Sequence, residues 1–297
     1  MLIPLGTERA LKRPPIVTQG LIVVNMLIYL SAVMLSYFNI MDREAFANFG
    51  HFWMQDFKVW QLITYQFLHD PYGIFHLGFN MLFLWVFGRS VEDRLGHISF
   101  LTFYLMAGIF AGIAHGMLEN APVIGASGSI AGVSGAFLAL FPRSRVRVLF
   151  VFFIISLMSI QAKWIIGFYI AFNLLNQGLG MLGPSDNSVA YGAHLGGYLF
   201  GFMFAFTMLA TGLLKREDMD VFYLLRQRHR RAQLRSVAKK THGGIWDTRG
   251  VAPKEPSAAP AAKPMTAKQR EEARRRAEIS KLLEDHKLEE AARRFRV

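Results

Sequence analysis

Four residues in an otherwise apolar sequence are of types that do chemistry. Ser127 stands in Gly125-Ala126-Ser127-Gly128 and His194 in Gly192-Ala193-His194-Leu195-Gly196-Gly197, while His76 and Asn80 lie four apart in a further apolar stretch. A serine hydroxyl beside an imidazole is a nucleophile with its general base: the ring takes the hydroxyl proton and later returns it to a leaving amine. The oxyanion formed in acyl transfer needs donors, and the Asn80 amide, the His76 ring and the Ser127 backbone N–H are groups of the right kind. Four-residue spacing puts His76 and Asn80 on one helix face, about one turn apart. With no cysteine in 297 residues there is no thiol nucleophile, disulfide or thiolate zinc site. HExxH is missing, and the apolar stretches hold no pair of aspartates. Metallo and aspartyl mechanisms are therefore disfavoured, and no metal or cofactor is expected.

The elements that must position these residues are membrane helices. The apolar fraction is 53% and the mean hydropathy +0.27, beside a formal charge of +12. The contradiction resolves along the chain. Residues 215–297 hold 22 of the 33 Lys and Arg and 12 of the 21 Asp and Glu, a net of +10, which leaves +2 for residues 1–214. Crossing a bilayer core of about 30 Å takes about 20 helical residues. Six stretches qualify: 16–38, 71–88, 98–118, 121–142, 164–185 and 187–214. The first follows Arg9, Lys12 and Arg13, and its apolar run of 23 residues is too long for the core of a signal peptide, so it reads as a signal anchor.

A seventh apolar run, residues 148–162, has 15 residues, and the positive-inside rule arbitrates it. With six spans and a cytoplasmic N-terminus, the inside segments carry Arg9, Lys12, Arg13, Arg89, Arg94, Arg143, Arg145, Arg147 and the basic tail, against Arg43 and Lys58 outside. A seventh crossing would move the tail outside. The run is therefore expected to enter shallowly from the cytoplasmic side or to extend a tilted fifth helix. The even count also brings His76, Asn80, Ser127 and His194 to one depth in the outer part of the membrane. Gly128 with Gly132, and Gly197 with Gly201, form GxxxG faces that let the fourth and sixth helices approach closely. A rival, Ser134, lies seven residues beyond Ser127, about 10 Å deeper, and both it and Ser129 read as packing residues.

Together these stretches resemble the rhomboid family of intramembrane serine proteases. The resemblance is carried by His76-Leu77-Gly78-Phe79-Asn80, Val91-Glu92-Asp93-Arg94-Leu95-Gly96, Gly125-Ala126-Ser127-Gly128 and Ala193-His194-Leu195-Gly196-Gly197, within residues 16–210. It implies an all-α, six-helix rhomboid-like bundle. It also implies Ser127 as nucleophile, His194 as base, His76 and Asn80 as oxyanion side chains, and the transmembrane helices of other proteins as substrates. Two positions depart from the family pattern. Gln61 follows Trp60 where many rhomboids have Arg, and Ala131 stands four residues after Ser127 where many have an aromatic ring that packs on the histidine. A noncatalytic rhomboid-like protein that binds transmembrane clients is the alternative.

Outside the bundle, residues 1–15 read as a cytoplasmic N-terminus, and the loop 39–75, with Phe52, Trp53, Phe57, Trp60, Tyr65 and Tyr72, as an interfacial aromatic belt. Residues 215–265 form a basic juxtamembrane segment and a Pro/Ala linker. Within it, 226–240 carry seven basic residues suited to fixing orientation and to meeting anionic lipid headgroups. Residues 266–297 read as a charged, solvated helical tail. No nucleic-acid-binding module is recognisable. A bacterial inner membrane with both termini cytoplasmic is the expected setting.

Overall fold

The computed structural model describes residues 2–40, 50–71, 73–151, 155–182, 189–217 and 219–242, with Glu271 and Arg274. The chain divides into two units, Met1–Leu234 and Arg235–Val297, and the site belongs to the first.

Its helices are α1 (Ile16–Tyr37), α2 (Ile74–Leu95), α3 (His97–Leu118), α4 (Ser127–Leu140), α5 (Ala162–Leu182), α6 (Tyr191–Thr211) and α7 (Val221–His242). Among the described residues, α1, α2, α3 and α6 are long and apolar enough to cross a membrane, while α4 is apolar but has only 14 residues. The second span starts later and runs further than the apolar run 71–88 suggests. It passes through a π-helical turn at Leu84–Gly88 into Arg89–Leu95. The fourth is shorter than 121–142 because residues 119–126 are irregular chain before α4 begins at Ser127.

The expectation of an all-α chain needs correction, because β1 (Leu2–Thr7), β2 (Arg145–Val151) and β3 (Ile155–Gln161) form an antiparallel sheet in the order β1-β2-β3. Within the run 148–162, residues 148–151 and 155–161 belong to β2 and β3, so the run does not extend α5. Arg145 pairs with Gln161, so the run returns to where it started. Its β-branched and aromatic residues favour strand, and β1 supplies the edge partner, Leu2 opposite Phe150. The signal was the alternation Arg145-Val146-Arg147-Val148, whose arginines are exposed and whose valines are buried.

The Glu92-Asp93 pair ties the N-terminal segment to the end of α2. Asp93 accepts hydrogen bonds from Arg9 at 2.7 Å and from the N–H groups of Lys12 and Arg13 at 2.9 Å. Glu92 accepts from the N–H groups of Val17 and Thr18, from the Thr18 hydroxyl and from His97 Nδ1. Glu92 thus satisfies two of the otherwise unpaired first N–H groups of α1, and Asp93 those of the segment just before it. Arg9, read from the sequence as an inside charge, is a structural partner of Asp93.

Small residues set the core packing. A β-carbon on Gly197 would run into the Gly128 carbonyl, one on Gly201 into the Gly132 carbonyl and one on Gly135 into the Tyr198 carbonyl. The backbones of α4 and α6 therefore touch, as the GxxxG spacing leads one to expect. Within the loop read as an aromatic belt, two of the rings are core residues. Trp53, Phe57 and Trp60 are exposed, but Phe52 and Tyr65 are buried. Tyr65 donates to the Gly108 carbonyl, and Phe52 exchanges backbone hydrogen bonds with Val123 just ahead of the site. Tyr72 lies outside the described residues, as do the linker 251–265 and the tail 266–297 apart from Glu271 and Arg274, both helical. Of the basic segment, Arg226, Arg228, Arg230, Arg231 and Arg235 are exposed on α7.

Candidate active site

The position of Ser127 follows from the chain before it. Gly125 adopts φ +117°, a conformation that side chains with a β-carbon rarely take, and donates its N–H to the Tyr65 carbonyl at 2.9 Å. The bend it makes lets α4 begin at Ser127, and the first N–H of the helical ladder to find a carbonyl is that of Ile130, bonded to Ala126. The N–H groups of Ser127, Gly128 and Ser129 precede the ladder, at the positive end of the helix dipole.

His194 sits in the first turn of α6, beside the start of α4 because the glycine faces below hold the two helices together. Its Nε2 is 2.9 Å from Ser127 Oγ, a hydrogen bond between residues 67 positions apart. Its Nδ1 lies 2.7 Å from Oδ1 of Asn173, a buried residue of α5. Asn173 was not among the residues singled out from the sequence. A neutral amide 21 positions from its partner has no spacing rule to reveal it, and the one available signal was a strongly polar side chain inside an apolar span. Ala131 is buried and contributes no ring toward the histidine. The aromatic group near His194 is Tyr191, edge-on at 6.4 Å between centroids.

The other two singled-out residues meet this pair across two cavities. Asn80, with Ser127, His194 and Asn173, lines one of about 250 Å³ whose remaining wall is largely Phe79, Phe83, Tyr169, Phe172 and Tyr198. His76, with Ser127 and His194, lines a more polar one of about 460 Å³ that also carries Asp70, His115 and Glu119. Gly125 separates His76 from the serine: a β-carbon there would stand 3.4 Å from His76 Cε1 and 3.9 Å from Ser127 Oγ. Asn80 donates from Nδ2 to Nε2 of His69 at 3.1 Å. His69 is a second residue missed in the sequence. It is buried, and burial followed by the nearby His76, 5.5 Å away between ring centroids, lowers its pKa from 6.5 to about 4. The ring is neutral at physiological pH and free to accept from the amide.

The rival serines are engaged elsewhere. Ser134 Oγ donates to the Ile130 carbonyl one turn back, and Ser129 Oγ to Gln66 Oε1. Ser134 does line the apolar cavity, but neither serine is hydrogen-bonded to a histidine among the described residues. Among the described residues no group of three or more His, Asp or Glu could hold a metal ion.

A helical bundle with a serine and a histidine in contact at the start of two glycine-packed helices defines a recognisable class. Residues 56–211 match the rhomboid domain, and the chain belongs to the rhomboid family. It is similar to rhomboid protease GluP of Bacillus subtilis (strain 168), 47% identical over 79 residues, which are 27% of this chain and 15% of that protein. It is 38% identical over 98 residues to the mitochondrial Rhomboid protein 1 of Saccharomyces cerevisiae, covering 31% and 28% of the two chains. With rhomboid protease GlpG of Yersinia pestis it shares 26% identity over 152 residues, 51% and 49% of the two. The chain thus matches half or less of the length of these relatives.

Proposed function

We propose that this protein is an intramembrane serine protease that hydrolyses a peptide bond in or beside the transmembrane helix of another membrane protein. The observation that carries the reading is the 2.9 Å hydrogen bond from Ser127 Oγ to His194 Nε2, supported by relatives whose names describe rhomboid proteases.

In this reading Ser127 Oγ attacks the scissile carbonyl carbon while its proton passes to His194 Nε2. The carbonyl oxygen becomes an oxyanion, received by the Ser127 N–H at the start of α4, by the Asn80 amide hydrogen not given to His69, and by His76. Collapse of the tetrahedral intermediate breaks the C–N bond, and His194 returns the proton to the leaving amine. Water then reaches the acyl-serine through the polar cavity and attacks its carbonyl carbon while giving a proton to His194; the C–Oγ bond breaks, the carboxyl product leaves and the proton returns from His194 to Ser127 Oγ. A helical substrate keeps its carbonyls in hydrogen bonds and must unwind locally first.

The wider setting belongs to the same proposal. Helices α1 to α6 supply six spans, both termini are cytoplasmic, and the membrane is a bacterial inner membrane. The 14 residues of α4 are about 21 Å long against a core of about 30 Å. Ser127 at its outer end then lies below the membrane surface. The arginines on α7 face anionic headgroups.

The test is incubation of purified protein with a reporter transmembrane substrate, beside Ser127→Ala. Cleavage by the wild type and none by the variant is the expected result. Equal cleavage by both overturns the assignment, and no cleavage by the wild type favours a noncatalytic client-binding role.

A further inference from the structure

Three asparagines of the bundle donate their side-chain amide to the carbonyl one turn back: Asn25 to Leu21, Asn173 to Tyr169 and Asn176 to Phe172. Such back-bonding is how a lone amide satisfies itself in an apolar helix. Asn173 differs in what its oxygen does. With Nδ2 held by the Tyr169 carbonyl at 2.7 Å, Oδ1 is turned to His194 Nδ1, also at 2.7 Å. Rotating the amide by half a turn would set Oδ1 against the Tyr169 carbonyl, two acceptors face to face. The orientation is therefore fixed by chemistry.

A carbonyl oxygen can only accept, so the contact requires a hydrogen on Nδ1. The neutral ring then has its lone pair on Nε2, the nitrogen facing Ser127 Oγ. In the other tautomer Nε2 would carry the hydrogen and could not take the serine proton. Burial of Asn173, 5% exposed, makes an unpaired Oδ1 costly and holds the arrangement.

We propose that Asn173 is a positioning residue: by accepting from Nδ1–H it holds His194 in the tautomer and ring orientation that let Nε2 act as the base toward Ser127. This rests on the reading of Ser127 and His194 as the reacting pair. A neutral amide in this place orients the ring without supplying charge to the imidazolium.

The test uses the full-length protein with a reporter transmembrane substrate, in the variants Asn173→Ala, Asn173→Asp, Asn176→Ala and Ser127→Ala, together with magnetic resonance of isotope-labelled histidine. Asn173→Ala should lower kcat by about 10- to 100-fold, the usual range for losing a group that orients a functional histidine, with KM little changed. Asn173→Asp, which keeps an acceptor in place, should recover most of that loss. Asn176→Ala, the same back-bonded amide three positions on, should behave as wild type. The His194 signal, assigned by its loss in His194→Gln, should report hydrogen on Nδ1 in the wild type and a mixture of tautomers in Asn173→Ala. Hydrogen on Nε2 of neutral His194 in the wild type overturns the proposal even if Asn173→Ala does not fold. So does an unaltered kcat in Asn173→Ala while Ser127→Ala is inactive, and that result leaves the protease reading standing. Full cleavage by Ser127→Ala removes both.

Discussion

The α-carbon of Gly201 on α6 lies against the carbonyl of Gly132 on α4, with no room between them for a methyl group. One turn nearer the site, Gly197 meets the carbonyl of Gly128 in the same way. The Ser127–His194 hydrogen bond is held by this contact, because the glycines follow the two reacting residues on the same helices, the nearer pair by one and three positions.

The contact predicts a selective intolerance to size. Gly201→Ala should force the two backbones apart at a cost of about 1–3 kcal/mol, the usual range for overpacking, and should lower turnover by lengthening the serine–histidine distance. Gly178→Ala on α5, where a β-carbon would meet nothing within 4 Å, serves as the control and should leave both unchanged. Thermal unfolding in detergent and reporter cleavage read the two effects. Equal stability of the two variants contradicts the packing account.

Two groups that share one proton should fail as a unit. Ser127→Ala and His194→Ala are each expected to abolish cleavage, and the double variant to be little worse than either. Ser134→Ala, whose hydroxyl is bonded to the Ile130 carbonyl, should keep substantial activity. Additive losses in the double variant would show that the two residues act independently.

Removing the Asn80 amide tests the oxyanion site. Asn80→Ala should reduce turnover by about 10²- to 10³-fold if the amide is a main donor, since single oxyanion donors have that range. His69→Ala removes the acceptor that orients Asn80 and should cost less. A wild-type rate in Asn80→Ala assigns the oxyanion to the backbone and His76.

His69 predicts an acid-sensitive fold. Its folded pKa of about 4 lies below the value of 6.5 for an unperturbed ring, so between these values the unfolded chain binds the additional proton. Stability attributable to His69 is complete above about pH 6.5 and declines as the pH falls toward 4, by roughly 3 kcal/mol in all. In His69→Gln that decline is absent, so the stability of the wild type should fall relative to that of the variant as the pH is lowered. A constant gap across the range refutes the assignment.

Topology can be read with single cysteines because the native chain has none. Ser236→Cys on α7 and Leu157→Cys on β3 should both be shielded in intact cells and become labelled once the cytoplasmic face is opened, whereas Arg43→Cys should label from outside. Labelling of Leu157→Cys and Ser236→Cys from opposite faces would mean that the chain crosses between them an odd number of times. The proposed topology gives two crossings between them, α5 and α6, so that result would overturn it.

Much of this was legible in the order of the residues. An apolar run of helical length has few alternatives in lipid, so α1 and α3 fall where hydropathy puts them, within a residue or two. GxxxG spacing is a local property of a helix face, and the α4–α6 contact follows from it. Ser127 and His194 stand out because polar residues are costly in such segments, and the six-span reading expects them at one depth, in keeping with the hydrogen bond that joins them. The remainder depended on partners distant in the chain. Residues 148–151 and 155–161 become strand because β1, more than 140 positions before the first of them, offers β2 an edge to pair with. Phe52 and Tyr65 turn inward because Val123 and Gly108 wait for them. The start of α4 at Ser127 is set by the bend at Gly125 and its bond to Tyr65, and the roles of His69 and Asn173 exist only where their rings and amides meet. Periodicity along one chain records which face of an element is buried; it carries no record of which distant polar atom faces another, since that is decided by the packing of helices against one another.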